Sequence, residues 1–483
     1  MLGVQLNELV GGLPAGLAEA LELVDGFDEA LSHGLGRMSE QRAAAIGALA
    51  GAVAATPLGD RVTEAAAKVS AGSVGGEHLT ALAAARAALL GAAHDALLSG
   101  LDESLNRQRD PGPSAEQTDG DSSETPDDAG GSLVLEGLLA GCRSWLHELA
   151  ITGWRGVSHD LASAGDQAIE SALAEPRLRR LAVLLDGLAA ELRDSSPVST
   201  MERLPVRRWA DLWMRATLLA EPGWPASTRG GEGAESVSGR LLPLGADVHE
   251  HGTAVQVQLH AVLEPAGGGT PRLVRANVAA GKVDTITGPA VWGLFQAYPV
   301  LLAALAKHLA VTVDGMTLLP GGDLVWQEEK AAAGELTNPF ATARLMLSGA
   351  LAPPVPPLDR HPARVAEPVL VEGYQATKTD DGVTLTLDGA TLPFTTGRLP
   401  GCGPLTPELL AASTACVGLL RWDAGGWLLQ PLAVQATVKK KPVAVHNGDW
   451  ALGTTDPKAA KATAKTGDPV SVLRERAGRL LRK

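Results

Sequence analysis

The chain has 483 residues, 45% of them hydrophobic and only 3% aromatic, and it carries a formal net charge of -14. A chain of this length divides into roughly two to four folded units, and its acidity excludes a non-specific electrostatic hold on nucleic acid or on an anionic membrane across the whole surface. Cys142, Cys402 and Cys416 are widely separated and show no C-x-x-C spacing, which supports neither a disulfide framework nor a cysteine-based zinc site.

With so few aromatic residues the packing is mainly aliphatic, and the first part of the chain is helical text. "SEQRAAAIGALAGAVAA" from Ser39 and "GEHLTALAAARAALLGAAHDALLSGLDESL" from Gly76 repeat apolar residues every three or four positions, the period of one helix face. Ser39 and Thr63 are the expected N-caps. Residues 1–109 are therefore expected to form an antiparallel helical bundle. The apolar runs of the N-terminus are broken by Asn7, Glu8, Glu19 and Glu22 and follow no basic segment, so they do not read as a signal peptide, and a cytoplasmic location is expected.

Residues 110–131, "DPGPSAEQTDGDSSETPDDAGG", contain several acids, no base and no aromatic or β-branched aliphatic residue. Too little apolar surface is available there to offset the ordering entropy, and a disordered acidic linker is expected. A second helical block is expected over 132–226. In it Leu178, Leu181, Leu185, Leu188 and Leu192 mark one apolar stripe, and Trp209, Leu212, Trp213 and Ala216 repeat at helical spacing after Pro205. The arginines near these tryptophans are matched by Glu191, Glu202, Asp211 and other acids, so no uncompensated basic stripe remains for nucleic acid.

After a Gly/Ser/Glu-rich connector, 227–239, the period changes to alternation. Residues 240–351 are expected to form an α+β domain, 352–368 a proline-rich connector, 369–454 a β-rich domain, and 455–483 a basic linker with a short amphipathic tail helix. The apolar stretch Gly288 to Val313 contains Gln296, Pro299, Lys307 and His308 and suits a buried, kinked helix followed by a strand better than a membrane span. The fold class predicted is thus α+β and multidomain, an α-helical N-terminal half of helical bundles followed by a β-rich α+β C-terminal half.

The stretch nearest to catalytic chemistry is "GADVHEHGTAVQVQLHAV", residues 245–262, with three histidines. A turn near His251 and Gly252 puts His249 opposite about Ala254. His260 then lies some six residues along, roughly 20 Å away at about 3.3 Å per residue. Zinc needs its ligand atoms about 2 Å from one point, so only a His249/His251 pair at an exposed hairpin tip is left as candidate metal ligands, with Glu250 pointing away and a third ligand needed from elsewhere. No Walker-A run, G-x-G-x-x-G, H-E-x-x-H or G-x-S-x-G occurs. No catalytic residue and no cofactor is assigned. Cys142 and His147 share a helix without the convergence a thiolate and its base require. Asp380-Asp381-Gly382 and Asp423-Ala424-Gly425-Gly426 read as hairpin turns, the second flanked by Trp422 and Trp427 as a cross-strand pair.

The tail, with Leu473, Leu480 and Leu481 on an apolar face and Arg474, Arg476 and Arg479 on a basic one, is too short to be stable alone and would fold on docking. Trp209, Trp213, Leu473, Arg476 and Leu480 are the candidate partner-binding residues. The phrases "TPLGDRVTEAAAKVSAGSVGGEHLTALAAARAALLGAAHDALL", "VRRWADLWMRATLLA" and "WDAGGWLLQPLAVQATV" resemble uncharacterised bacterial proteins associated with MoxR-type AAA+ ATPases, von Willebrand A domain proteins and SWIM zinc-finger proteins. The chain lacks the C-x-C…C-x-H pattern of a SWIM finger and lacks Walker motifs, so neither zinc binding nor ATP hydrolysis carries over. The resemblance implies an accessory or adaptor component of a chaperone-like assembly, with a protein partner such as an AAA+ ATPase or a von Willebrand A protein. The reading favours a non-enzymatic interaction protein; its rival is a metal-dependent enzyme or ligand-binding module in the β-rich half.

Overall fold

The computed structural model describes residues 1–109, 129–222, 234–380 and 382–454, with Pro457, Val470 and Glu475 beyond them. Most of the expected acidic linker, most of the 227–239 connector and the tail positions Leu473, Arg476 and Leu480 lie outside the described residues. The expected architecture is present, a helical N-terminal half and a β-rich C-terminal half.

Ten helices build the described part of the N-terminal half: α1 (Gly3–Gly11), α2 (Leu17–His33), α3 (Glu40–Val53), α4 (Gly59–Ser70), α5 (Gly76–Ser104), α6 (Ala129–Thr152), α7 (His159–Ser163), α8 (Asp166–Ala174), α9 (Arg179–Asp194) and α10 (Val206–Leu219). Ser39 caps α3 as expected, its hydroxyl accepting from the Arg42 amide at 3.4 Å. Thr63 does not cap α4, which starts four residues earlier behind Leu58. The two expected helical blocks share one apolar core running from Phe27 to Leu219, to which the leucine stripe of α9 contributes Leu181, Leu185, Leu188 and Leu192. Inside the helical half Arg86 grips Asp28 with two parallel bonds, 2.6 and 2.8 Å, and both side chains are sealed from water.

The C-terminal half starts with β1 (Glu235–Glu250), β2 (Ala254–Pro265), β3 (Arg272–Gly281), β4 (Leu309–Leu318), β5 (Asp323–Val325) and β6 (Ala331–Leu336). Their order is β1-β2-β3-β5-β4-β6, and an extra pairing of β1 with β4 curls the sheet back onto itself. The apolar stretch at 288–313 folds as a 3-10 turn (Gly288–Phe295), the helix Pro299–Lys307 and the start of β4; Leu301 and Leu305 pack into the core of this sheet, and Val470 is buried there as well. One described helix, α5, is long and apolar enough to cross a membrane, and half of its most apolar stretch is buried in the fold.

A second sheet has the order β13-β12-β11-β7, from β7 (Ala366–Glu372), β11 (Ser413–Asp423), β12 (Gly426–Val438) and β13 (Lys441–His446); β8 (Gln375–Thr379), β9 (Gly382–Leu387) and β10 (Ala390–Pro393) form a third. The turn signals hold: Asp423 pairs with Gly426, Ala424 and Gly425 take the left-handed angles of a two-residue hairpin turn, and Trp422 faces Trp427 edge-on at 5.4 Å. The expected separation of the units does not hold at their cores. Leu6, Leu97 and Leu101 from the helical half join Val369, Leu385 and Trp427 in one apolar cluster. Leu244, Val262 and Leu273 of the first sheet meet Leu370, Val417 and Ala433 of the second in another. The connector 352–368 is held too, since Leu358 is buried among the helices and β7 begins within it.

Candidate functional site

A concavity of about 890 Å³ lies along α5. Its lining repeats at Thr80, Ala84, Ala87, Ala88, Gly91 and Asp95, so one stripe of small residues faces outward over about four turns, roughly 22 Å at about 1.5 Å per residue. Small side chains leave the helix backbone close to the surface, where a second helix can approach to an interaxial distance of about 8–10 Å. Leu58 and Val62 of α4 form one wall, and Leu218 with Pro357 and Leu358 the other, around a volume of about 890 Å³. At one end Arg360 pairs with Asp95 at 3.0 Å. Arg61 stands exposed on the α4 wall and has no ion-pair partner among the described residues.

Beyond Thr80, Glu221 and Pro222 the groove continues into a more polar lobe of about 550 Å³, lined by Arg143, Ser144, His147, Trp213 and Thr217. Thr80 donates to Glu221 at 2.9 Å on the boundary between the two. Arg143 is held by the Ala220 carbonyl at 2.9 Å and by Glu136 at 2.7 Å. His147 Nε2 meets the Val74 carbonyl at 2.8 Å, which fixes the proton on that nitrogen and turns the ring away from service to Cys142. The Cys142 thiol is buried and pushed up to about 11 by that burial, so no thiolate is poised at neutral pH.

Trp209 and Trp213 do not form a docking face. Both are fully buried, and their indole N–H groups are used internally, on Glu191 Oε2 and on the Leu146 carbonyl, each at 3.0 Å. Helical spacing cannot distinguish a stripe that faces a partner from one that faces the core, and this one faces the core. The small-residue stripe of α5 was legible in "TALAAARAALLGAAHDA" but was absorbed into a general reading of helix.

The histidine stretch forms the expected hairpin, in another register. His249 pairs with Gln256 rather than with Ala254, because the turn is tight, the His251 amide donating to the Ala254 carbonyl at 2.8 Å. That register runs unbroken from the turn and places His260 opposite Gly245, four residues from His249, with a bulge between Pro243 and Gly245 just beyond the pair. His251 is exposed at the tip. His249 Nε2 is engaged 2.8 Å from Asp247 Oδ2, and Asp247 is the residue the sequence reading missed, although i and i+2 on a strand share a face. Among the described residues no group of three His, Cys, Asp or Glu side chains is arranged to hold a metal ion.

Asp247 is buried at the seam where the first sheet meets the second. Gln430 of β12 donates to its Oδ1 at 2.5 Å and Arg421 of β11 to its Oδ2 at 3.3 Å. Burial alone would raise its pKa; the His249 bond and the Arg421 charge outweigh that and hold the carboxyl below its ordinary range. The sheets approach closely here, since a Cβ on Gly245 would stand 2.7 Å from the Leu432 side chain. His260 is fully buried close by. Desolvation, reinforced by the Arg275 charge, lowers its pKa to about 3 and keeps the ring neutral.

Comparison of the chain with family models, with curated proteins and with solved structures returns no match.

Proposed function

We propose that this chain is a non-enzymatic interaction protein whose helical half receives an amphipathic helix of a partner protein in the groove along α5. The observation that carries the reading is the 890 Å³ groove floored by the Ala84-Ala88-Gly91 stripe. Its length matches about fifteen residues of helix, and its small-residue floor suits ridge-into-groove packing. The unpaired Arg61 selects a partner helix that carries an acidic side chain beside its apolar face, while Asp95, already paired with Arg360, adds little opposing charge. An AAA+ ATPase or von Willebrand A protein as the owner of that helix, and an accessory role in a chaperone-like assembly, belong to the same proposal and rest on the sequence resemblance alone.

The test is affinity capture with the intact chain, an Ala88→Glu form, an Arg61→Glu form and a chain ending at Asp456. A partner retained by the intact chain, lost by Ala88→Glu and weakened by Arg61→Glu supports the groove. A partner lost only from the chain ending at Asp456 moves the interaction to the tail. Equal retention by all four forms overturns both sites.

A further inference from the structure

Away from the groove, three parts of the chain meet around a small crevice of about 40 Å³. The helical half contributes His94 and Leu98 from α5, the first sheet contributes His260 and Arg275, and the connector contributes Arg364 and Glu367. We propose that this crevice is a binding site for one small monovalent anion, chloride in size, held by His260 Nε2 and by the uncommitted N–H groups of Arg275 and Arg364.

The donors are present and largely unspent. His260 is 1% exposed, and its Nε2 is buried without a hydrogen-bond partner, a state that normally costs about 1–3 kcal/mol and is uncommon in native proteins. Arg275 uses one nitrogen, Nη2, on the Gly321 carbonyl (2.8 Å) and on Asp323 (3.2 Å), and its other nitrogens make no hydrogen bond among the described residues. Arg364 borders the crevice with a half-exposed side chain, and its nearest carboxylate, Asp359, is 3.7 Å away, beyond hydrogen-bond distance.

The negative charge nearby is already committed. Glu367, the one carboxylate lining the crevice, is claimed by Arg109 at 3.2 Å and Arg107 at 3.8 Å. Asp247 is held by His249, Arg421 and Gln430. The crevice lining itself carries two guanidiniums, Arg275 and Arg364, against one carboxylate that is already claimed, while Asp323, the 3.2 Å partner of Arg275, lies outside the lining. One ordered water needs roughly 10–15 Å³ of such space, so about 40 Å³ takes a halide with little of its hydration shell and is tight for a tetrahedral oxyanion. An anion here would tie the helical half, the first sheet and the connector together at one point, and would bind the folded chain only.

Thermal unfolding of the full chain in sodium chloride and in sodium gluconate at equal ionic strength tests the site, with Arg275→Gln and Arg364→Gln as the variants. The expected result is a transition temperature that rises saturably with chloride and not with gluconate, and a chloride response that falls in whichever variant is folded by circular dichroism. Bromide-soaked crystals are expected to show an anomalous peak between His260 and Arg275. Identical curves in the two salts, a full chloride response in both variants, or a crevice holding only water in the bromide data would overturn it.

Discussion

The helical half and the seam between the two sheets house their charges in opposite ways. In the helices Asp28 and Arg86 are paired inside the core, both fully sealed, and the outer surface of α5 is left as a run of alanines and glycine. At the seam Asp247 is also buried, but one of its partners, His249, reaches water, and the neighbouring His260 and Arg275 border a crevice. A region that has paired its buried charges internally binds mainly by shape and apolar area, with an exposed charge such as Arg61 left to select among partners. A region whose charges sit on a boundary responds to protons and ions. Under the proposed function the first holds a protein partner, while the second responds to solution pH.

The largest expected effect comes from three buried histidines: His260 at the seam, His361 in the connector beside the helices, and His446 at the end of β13. Burial lowers the pKa of His260 to about 3 and of His361 and His446 to about 4, while in the unfolded chain each titrates near 6.5. Between those values the unfolded chain binds more protons than the folded one, so stability falls as pH falls from about 6.5 to about 4. The slope is at most about 1.4 kcal/mol per pH unit for each histidine. Urea unfolding across that range checks it, and His361→Gln is expected to remove about a third of the slope. A flat profile would mean the three rings are not buried as neutral groups.

Breaking the sealed pair is expected to matter next. Asp28→Asn strands Arg86 with only Asp211, 3.8 Å away, and should cost about 3 kcal/mol in urea unfolding at neutral pH. Asp247→Asn is expected to cost about 2 kcal/mol at neutral pH. The folded pKa of Asp247 is depressed, so its stabilisation is present above the ordinary carboxylate value near 3.9 and is lost as pH falls through the folded value. The penalty of the variant should therefore shrink below about pH 4. The smallest effect on stability belongs to the groove: Ala88 is exposed, and Ala88→Glu should change unfolding by no more than about 0.5 kcal/mol while abolishing partner capture.

The elements themselves were legible. The leucine stripe of α9, the Ser39 cap and the Asp423 to Gly426 hairpin each follow from local chemistry that sequence displays directly. The site was not, for two physical reasons. Register depends on where the turn falls, and the observed turn brings His260 within four residues of the strand position of His249. Alternation is also silent about what lies against a strand face, and the partners that bury Asp247, Arg421 and Gln430, are more than 150 residues away in sequence. Trp209 and Trp213 show the same gap, since the period locates a face and only packing says whether a partner or the core lies against it.

Site-specific photocrosslinking offers the sharpest check on the proposed docking of a partner helix in the α5 groove. A photoreactive phenylalanine derivative would replace Ala88 on the groove floor and, as a control, Ala332 on the exposed edge strand β6. The account expects crosslinks from position 88 to a single partner, mapping to one acidic amphipathic helical segment, and none from position 332. Crosslinks of equal number and identity from both positions, or none from position 88 while the partner is still captured, would contradict it.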